Sequence, residues 1–312
     1  MVKSFRIIVP TARRPHLLQR TLVSLAGCRW PNCDAATIVV ENGTRDSADE
    51  IVASCADKLH ARYMFVERPN KSHALNVAIE DLPDECLVYF IDDDVRLSEN
   101  VLMQYTAAAA GISDGVFWGG STAPDFETEP ESWLKPLLPA DARTFDEQEY
   151  QRGSQYMVFL GFNWAAFAGD IRRAGGFDTR FGPGGSSGSV GQESDMQQRL
   201  LDLGVRPVFL PEARVWHYVP PERCSPEWVV GRDYRYGILD AIKSHPRPTN
   251  SWGIPWWYLR RLGRTWIRYQ AARLGGDRMN TFLAKRDFYY QKGLVKGLLS
   301  LRETKFSQRR HA

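Results

Sequence analysis

The stretch LVYFIDDDVRL, residues 87–97, decides the fold. Five apolar residues run straight into Asp92, Asp93 and Asp94. A short apolar run bounded by polar residues reads as a strand buried on both faces. Three adjacent carboxylates at its end repel one another and need a counter-charge. Oxygen-rich, multi-carboxylate sites suit Mg2+ or Mn2+, and a metal held at a strand end can bridge phosphate oxygens. The bland alternative is a capped turn before a helix starting near Ser98, but one aspartate suffices for a cap.

The same pattern repeats upstream. Apolar runs at 5–10, 37–40 and 63–66 alternate with helical patterns at 16–25, 47–59 and 73–82. Buried β-branched runs separated by helices mean βαβ units and a mainly parallel sheet. Ligands of such sheets collect beyond the carboxyl ends of the strands. Thr11, Glu41, Asn70 and the three aspartates all fall there. Further on, a strand is expected at 116–119, then an irregular acidic stretch to about Arg152, and a strand at 156–163. A short helix ends at Ala174-Gly175-Gly176. The segment GPGGSSGSVG, residues 182–191, is too rich in Gly and Ser for regular structure and reads as a mobile loop. It lacks GK[ST], so it is no P-loop, and a lid or acceptor-side loop is expected. The helix QESDMQQRLLDLG follows, then short strands at 206–210 and 214–217, and a helical remainder from about Cys224.

Composition narrows the class. Hydrophobic residues at 43% and charged residues at 25% argue against wholesale disorder. No apolar run approaches the roughly 18–20 residues that span a bilayer, and the N-terminus shows no signal-peptide pattern. Five cysteines, odd in number and without metal-ligand spacing, imply a reducing compartment and free thiols. The expected location is therefore cytoplasmic. The net charge of +3 conceals an asymmetry: residues 1–225 carry 22 basic and 31 acidic side chains, and residues 226–312 carry 18 and 6. The tail's partners are expected to be anionic.

In sequence order, IIVPTARRP, VVENGTRD, RPNKSHALNVAIE, FIDDDV, GFNWAAF…GGFD and QESDMQQRLLDLG together resemble the family 2 glycosyltransferases over about residues 4–225. The resemblance implies an α/β, GT-A nucleotide-diphospho-sugar transferase fold at 1–225, with a basic, aromatic helical extension at 226–312. It implies a nucleotide-sugar donor, a UDP-sugar first among them, a hydroxyl acceptor and a divalent metal, Mn2+ or Mg2+. Thr11 and Arg13 are then placed near the nucleoside. Glu41 stands where the family has a base-reading aspartate, and Lys71 lies in the loop that meets base or phosphate. Asp92 approaches the ribose, Asp93 lies between, and Asp94 binds the metal. Glu193 takes the catalytic-base position and Asp195 the next acidic one, with Gln192 where the first acid normally stands. Helix capping is the alternative for both acids. His217 can complete the metal site or contact the diphosphate, and Arg223 can clamp phosphate oxygens.

The reading expected is inverting sugar transfer to a saccharide, lipid-linked or glycoconjugate acceptor, as in surface polysaccharide synthesis. A retaining GT-A transferase, a sugar nucleotidyltransferase and an inactive sugar-nucleotide-binding scaffold stay open. Haloacid-dehalogenase-type phosphohydrolases also place DxD after an apolar strand. They need a small Thr or Val two residues beyond the second Asp, where this chain has Arg96. The tail holds Trp228, Trp252, Trp256, Trp257 and Trp266 among arginines. It suits an anionic membrane surface at the inner face of the cell membrane, or a helix packed on the catalytic domain. No nucleic-acid recognition module is apparent.

Overall fold

The structure is a computed structural model and describes residues 2–153, 158–244 and 254–310. The first half builds as the apolar runs dictate. β1 (Ser4–Thr11), α1 (Pro15–Ala26), β2 (Asp34–Asn42), α2 (Ala48–Leu59), β3 (Arg62–Val66), α3 (Lys71–Ile79) and β4 (Leu87–Phe90) alternate strictly. Then come β5 (Val95–Leu97), α4 (Val101–Ala108), β6 (Val116–Phe126), α5 (Glu147–Arg152), β7 (Trp164–Phe167) and α6 (Ala168–Arg173). α7 (Gln192–Asp202), β8 (Arg206–Val219), α8 (Pro226–Ser244), α9 (Trp256–Leu274) and α10 (Arg278–Arg310) complete the chain.

All eight strands form one sheet, in the order β3-β2-β1-β4-β7-β6-β8-β5. Four of its seven pairings are parallel: β1–β2, β1–β4, β2–β3 and β6–β8. Ile7, Ile8, Val9, Leu87, Val88 and Tyr89 are fully buried at its centre, as parallel strands covered on both faces require.

The expected strand at 156–163 does not form. Tyr156 and Met157 lie outside the described residues, and residues 158–163 make bends and turns before β7 begins at Trp164. The apolar residues there are claimed by aromatic packing instead. Phe159 stacks on Tyr150 and meets Phe117 edge-on, and Phe162 stacks on His217 at 4.4 Å. The two short strands expected at 206–210 and 214–217 are one strand, β8, whose pairing with β6 shifts register between Gly120 and Thr122. β5 was not foreseen. It pairs antiparallel with β8 so that Val95 faces His217.

Asn163 knots these strands together. Its Oδ1 accepts hydrogen bonds from the Tyr89 and Tyr105 hydroxyls, each at 2.9 Å. Its Nδ2 donates to the carbonyls of Ser121 (3.0 Å) and Ala213 (2.8 Å). One fully buried amide thereby serves β4, α4, β6 and β8.

In the tail, α10 lies along α8 at backbone contact. A Cβ on Gly237 would stand 2.1 Å from the Tyr290 carbonyl, and one on Gly293 would stand 2.0 Å from that of Tyr234. Two facing glycines are what permit the crossing.

Asn163→Ala should lower the unfolding free energy by about 3 kcal/mol or more. It orphans three buried polar groups, since the Tyr105 hydroxyl keeps the backbone carbonyl of residue 163, and each costs about 1–3 kcal/mol when unsatisfied, less whatever water recovers. Urea denaturation measures this, and a loss below about 1 kcal/mol would show that Asn163 is not the knot described.

Candidate active site

The aspartates sit in the bend between β4 and β5, at the carboxyl edge of the sheet. Pro15 occupies the first turn of α1, where its fixed φ and missing N–H cost nothing. That start carries Arg14 to the aspartates. Arg14 ion-pairs with Asp93, and its Nη1 lies 2.7 Å from Asp94 Oδ2. The Thr11 hydroxyl donates to Asp93 Oδ2 at 2.7 Å. Burial pushes the Asp93 carboxyl up to about 7; Arg14 opposes this and Asp94 adds to it. Asp93 is fully buried and lies beneath the cavity floor.

Asp94 reaches His217 because β5 pairs with β8. His217 Nε2 stands 3.4 Å from Asp94 Oδ1, and Nδ1 lies 2.7 Å from the Asp141 carbonyl. A proton on Nδ1 satisfies that carbonyl and turns the Nε2 lone pair toward Asp94, the tautomer that a metal-ligating histidine uses. Burial would raise the Asp94 pKa, but His217, then Arg14 and Arg223, outweigh it and hold the carboxyl well below the usual range. His217 moves the other way: burial disfavours its charge, and Asp94 more than compensates and raises it. Asp94 Oδ1 is buried and has no hydrogen-bond partner. Among the described residues no three His, Cys, Asp or Glu side chains gather around one point. A carboxylate oxygen and an imidazole nitrogen fit a divalent ion that takes its other ligands from phosphate and water.

Lys71, at the start of α3, joins the two acidic groups. Its Nζ is 2.6 Å from Asp92 Oδ1 and 2.8 Å from Glu193 Oε1. Burial opposes its charge, but Asp92 and Glu193 together raise the ammonium above its ordinary value. Gln192 Nε2 also donates to Glu193 Oε1, at 2.7 Å. An acid at position 192 would repel Glu193, whereas the amide holds it. Among the described residues both contacts fall on Oε1, and Oε2 takes none.

The segment before α7 is irregular as expected, yet its first part is tied down. Asn70 caps α3 by accepting from the His73 N–H, and its Nδ2 donates to the Thr179 and Gly184 carbonyls. The Lys71 N–H donates to Pro183, and Ser72 Oγ donates to Phe181. Gly184 has φ +76°, and a Cβ there would lie 1.7 Å from the Pro69 carbonyl.

These groups line one cavity of about 530 Å3. Thr11, Lys71, Asp92, Asp94, Glu193, His217 and Arg223, of the residues expected at the site, form its walls. Three do not. Arg13 is exposed at φ 57°, with Nη2 3.2 Å from Thr44 Oγ1. Glu41 is buried, accepting from the Asp46 N–H at 2.7 Å and the Tyr63 hydroxyl at 2.6 Å. Asp195 pairs with Arg199 at 2.8 Å. That pairing is an ion pair one turn along α7, and α7 has no side-chain cap.

Sequence reasoning missed Arg14, Asp141 and the arginines of α8. Arg232 and Arg235 line the cavity with Trp228 and Tyr236, and Arg232 pairs with Asp141 at 3.2 Å. The wall therefore crosses the expected boundary at 225/226. Arg14 was signalled by the proline after it; nothing local marked Asp141.

Solved structures share this architecture. The mannosyltransferase PcManGT from Pyrobaculum calidifontis, in complex with GDP-Man and Mn2+, matches at TM-score 0.59 and 19% identity, covering 95% of this chain and 86% of that one. S. aureus TarS 1-349 in complex with UDP-GlcNAc matches at TM-score 0.51 and 16% identity, over 96% and 92%. At such identities the likeness speaks for the fold, which is GT-A. The chain belongs to glycosyltransferase family 2: the model described as "Glycosyltransferase like family 2" matches residues 3–235. The succinoglycan biosynthesis protein ExoM of Rhizobium meliloti is 28% identical over 256 residues, 76% of this chain and 75% of its own. Validoxylamine A glucosyltransferase of Streptomyces hygroscopicus subsp. limoneus is 26% identical over 225 residues, 64% of this chain and 48% of that relative. The protein is a transferase that moves a sugar from a nucleotide sugar.

Lys71→Met should cost about 3 kcal/mol at pH 7, because it strands two largely buried carboxylates. Burial already raises the Asp92 pKa against the pull of Lys71, and losing that cation raises it further. The folded state then binds more protons, so stability falls as pH rises. The deficit should therefore shrink between pH 7 and pH 5, and urea titrations at both pH values check this. A deficit independent of pH would show that packing, not charge, is what Lys71 supplies.

Proposed function

We propose that the chain catalyses inverting, metal-dependent transfer of a sugar from a UDP-sugar to a hydroxyl of a saccharide or lipid-linked glycoconjugate, at the inner face of the cell membrane. The observation that carries this reading is the sharing of one cavity by Asp94 and His217 on one side and Glu193 on the other. Asp94 Oδ1, which lacks a partner, and His217 Nε2 would hold the ion, with Mn2+ suiting the imidazole better than Mg2+. When bound, such an ion offsets negative charge on the leaving diphosphate. Arg223, with an Nη 3.9 Å from Asp94 Oδ2, is placed to share that charge.

Glu193 supplies the base. Lys71 and Gln192 fix Oε1, so Oε2 receives the acceptor proton as that hydroxyl attacks the anomeric carbon. The bond to the diphosphate breaks on the opposite face, and the configuration inverts. A single displacement needs one carboxylate in reach of the acceptor, and Glu193 fills that place. Uracil as the base is supported by TarS, solved with UDP-GlcNAc. A polysaccharide acceptor is supported by ExoM, named for succinoglycan biosynthesis.

Two variants test the roles. Asp94→Ala should abolish Mn2+-dependent UDP binding in calorimetry; Arg14 keeps its pair with Asp93, and a thermal melt checks that the variant is folded. Unchanged affinity would remove Asp94 from the metal site. Glu193→Gln should bind UDP as the parent does while UDP release from UDP-sugars falls about 10²–10⁴-fold. Turnover within a few-fold of the parent would exclude Glu193 as the base. Pyrophosphate release in place of UDP would instead assign a nucleotidyltransferase, and a product of retained configuration a retaining transferase.

A further inference from the structure

α9 packs on α10 along one side, where Tyr269 stacks on Phe288, and leaves the rest of its surface open. Of its 19 residues only Tyr258 and Ala272 are buried. Among the described residues ten large hydrophobic side chains are exposed, and five of them lie on this one helix. Trp266 is 50% exposed, Ile267 61% and Leu274 91%. Scattered singly, such residues need no explanation; gathered on one helix they mark an interaction surface. Ile267 and Leu274 are seven apart, two helical turns, and so share a face with Trp256 and Gly263.

The charge on the same helix is of one sign. Five arginines and no acid lie between Trp256 and Leu274. Arg268 pairs with Asp287 at 3.1 Å on α10. Arg260, Arg261 and Arg264 make no ion pair among the described residues. At about 100° per residue, Arg260 and Arg264 border one side of the stripe made by Ile267 and Leu274, and Trp266 lies on the other. An apolar stripe with tryptophan, bordered by arginine, is the pattern of a helix lying in the plane of a membrane interface. No helix among the described residues is long and apolar enough to cross a membrane, so α9 can lie on a bilayer but not span it.

We infer that α9 docks the protein on an anionic lipid surface, with Ile267, Leu274 and Trp266 entering the headgroup region and Arg260 and Arg264 meeting lipid phosphates. The lipid source is committed by the charge: an all-basic helix in a tail of 18 basic and 6 acidic side chains selects anionic over zwitterionic headgroups. The surface is separate from the cavity that holds Glu193 and Asp94, so docking does not rest on the reaction proposed above.

The test is flotation of the full chain with phosphatidylcholine vesicles, with and without phosphatidylglycerol. Binding is expected only with phosphatidylglycerol, and it should weaken as salt shortens the Debye length. Each arginine near such a surface contributes about fivefold, so Arg260→Ala with Arg264→Ala should lower partitioning about 25-fold. Ile267→Ser with Leu274→Ser should remove the part that salt leaves behind. All four positions are exposed, and an unchanged thermal melt shows that each variant is folded. Equal binding with and without phosphatidylglycerol, or variants that partition as the parent does, would overturn the inference. So would a dimer in sedimentation velocity that Ile267→Ser dissociates without any vesicle binding, since the face would then belong to a second copy of the chain.

Discussion

Four carboxylates converge within one partly closed cavity edge, and the site exists because three kinds of cation are threaded among them. Arg14 bridges Asp93 and Asp94, Lys71 bridges Asp92 and Glu193, and His217 faces Asp94. Removing a charge from water costs several kcal/mol unless a partner and hydrogen bonds offset it. The network answers most of that cost; Asp94 Oδ1, which has no hydrogen bond and only His217 Nε2 at 3.4 Å, and Glu193 Oε2 are the oxygens left open to a ligand. Charge balance thus dictates both what is rigid here and what is left reactive.

Each cation reaches its place through backbone architecture. Arg14 is delivered by a helix that begins on proline, Lys71 by the capped start of α3, and His217 by the pairing of β8 with a three-residue edge strand. The parallel half of the sheet sets the donor side, as open α/β sheets do at their carboxyl edges. The antiparallel half and α8 supply the opposite wall, where Arg232 and Arg235 crowd each other. Burial, then Arg232 and Arg223, hold the Arg235 pKa below its usual value. A wall of arginines backed by Trp228 and Tyr236 presents positive charge to whatever enters.

β1, β2 and β4 could be read from sequence because each is a largely buried apolar run, and burial on both faces leaves no other reading. The rest depended on contacts between distant segments. β5 is too short to carry a periodic signal, and it forms only because β8 offers an edge. Phe159 and Phe162 looked like strand residues but are held by the rings of Tyr150, on the preceding helix, and of His217, far away in sequence. Most of the expected site residues line the cavity because strand ends and helix starts are local features. Glu41 lies outside it because its partner Tyr63 is set by tertiary placement, and Asp195 because Arg199, one turn on in the same helix, claims it. Asp141 contributes its carbonyl to His217 and its carboxylate to Arg232, partners 76 and 91 positions away that no local pattern reveals.

The tie between Asn70–Ser72 and the segment around Gly184 has a bearing on how the molecule is made. Asn70 bonds to residues 109 and 114 positions downstream, and Lys71 to Glu193, 122 positions on. Closing so long a loop carries an entropic cost that local contacts cannot recover. On an emerging chain, β1 to β4 can assemble early, but Lys71 and the aspartates then face water without Glu193 beside them. The donor half is complete as a scaffold well before it is complete as a site. Binding competence arrives only once α7 has left the ribosome, late in synthesis.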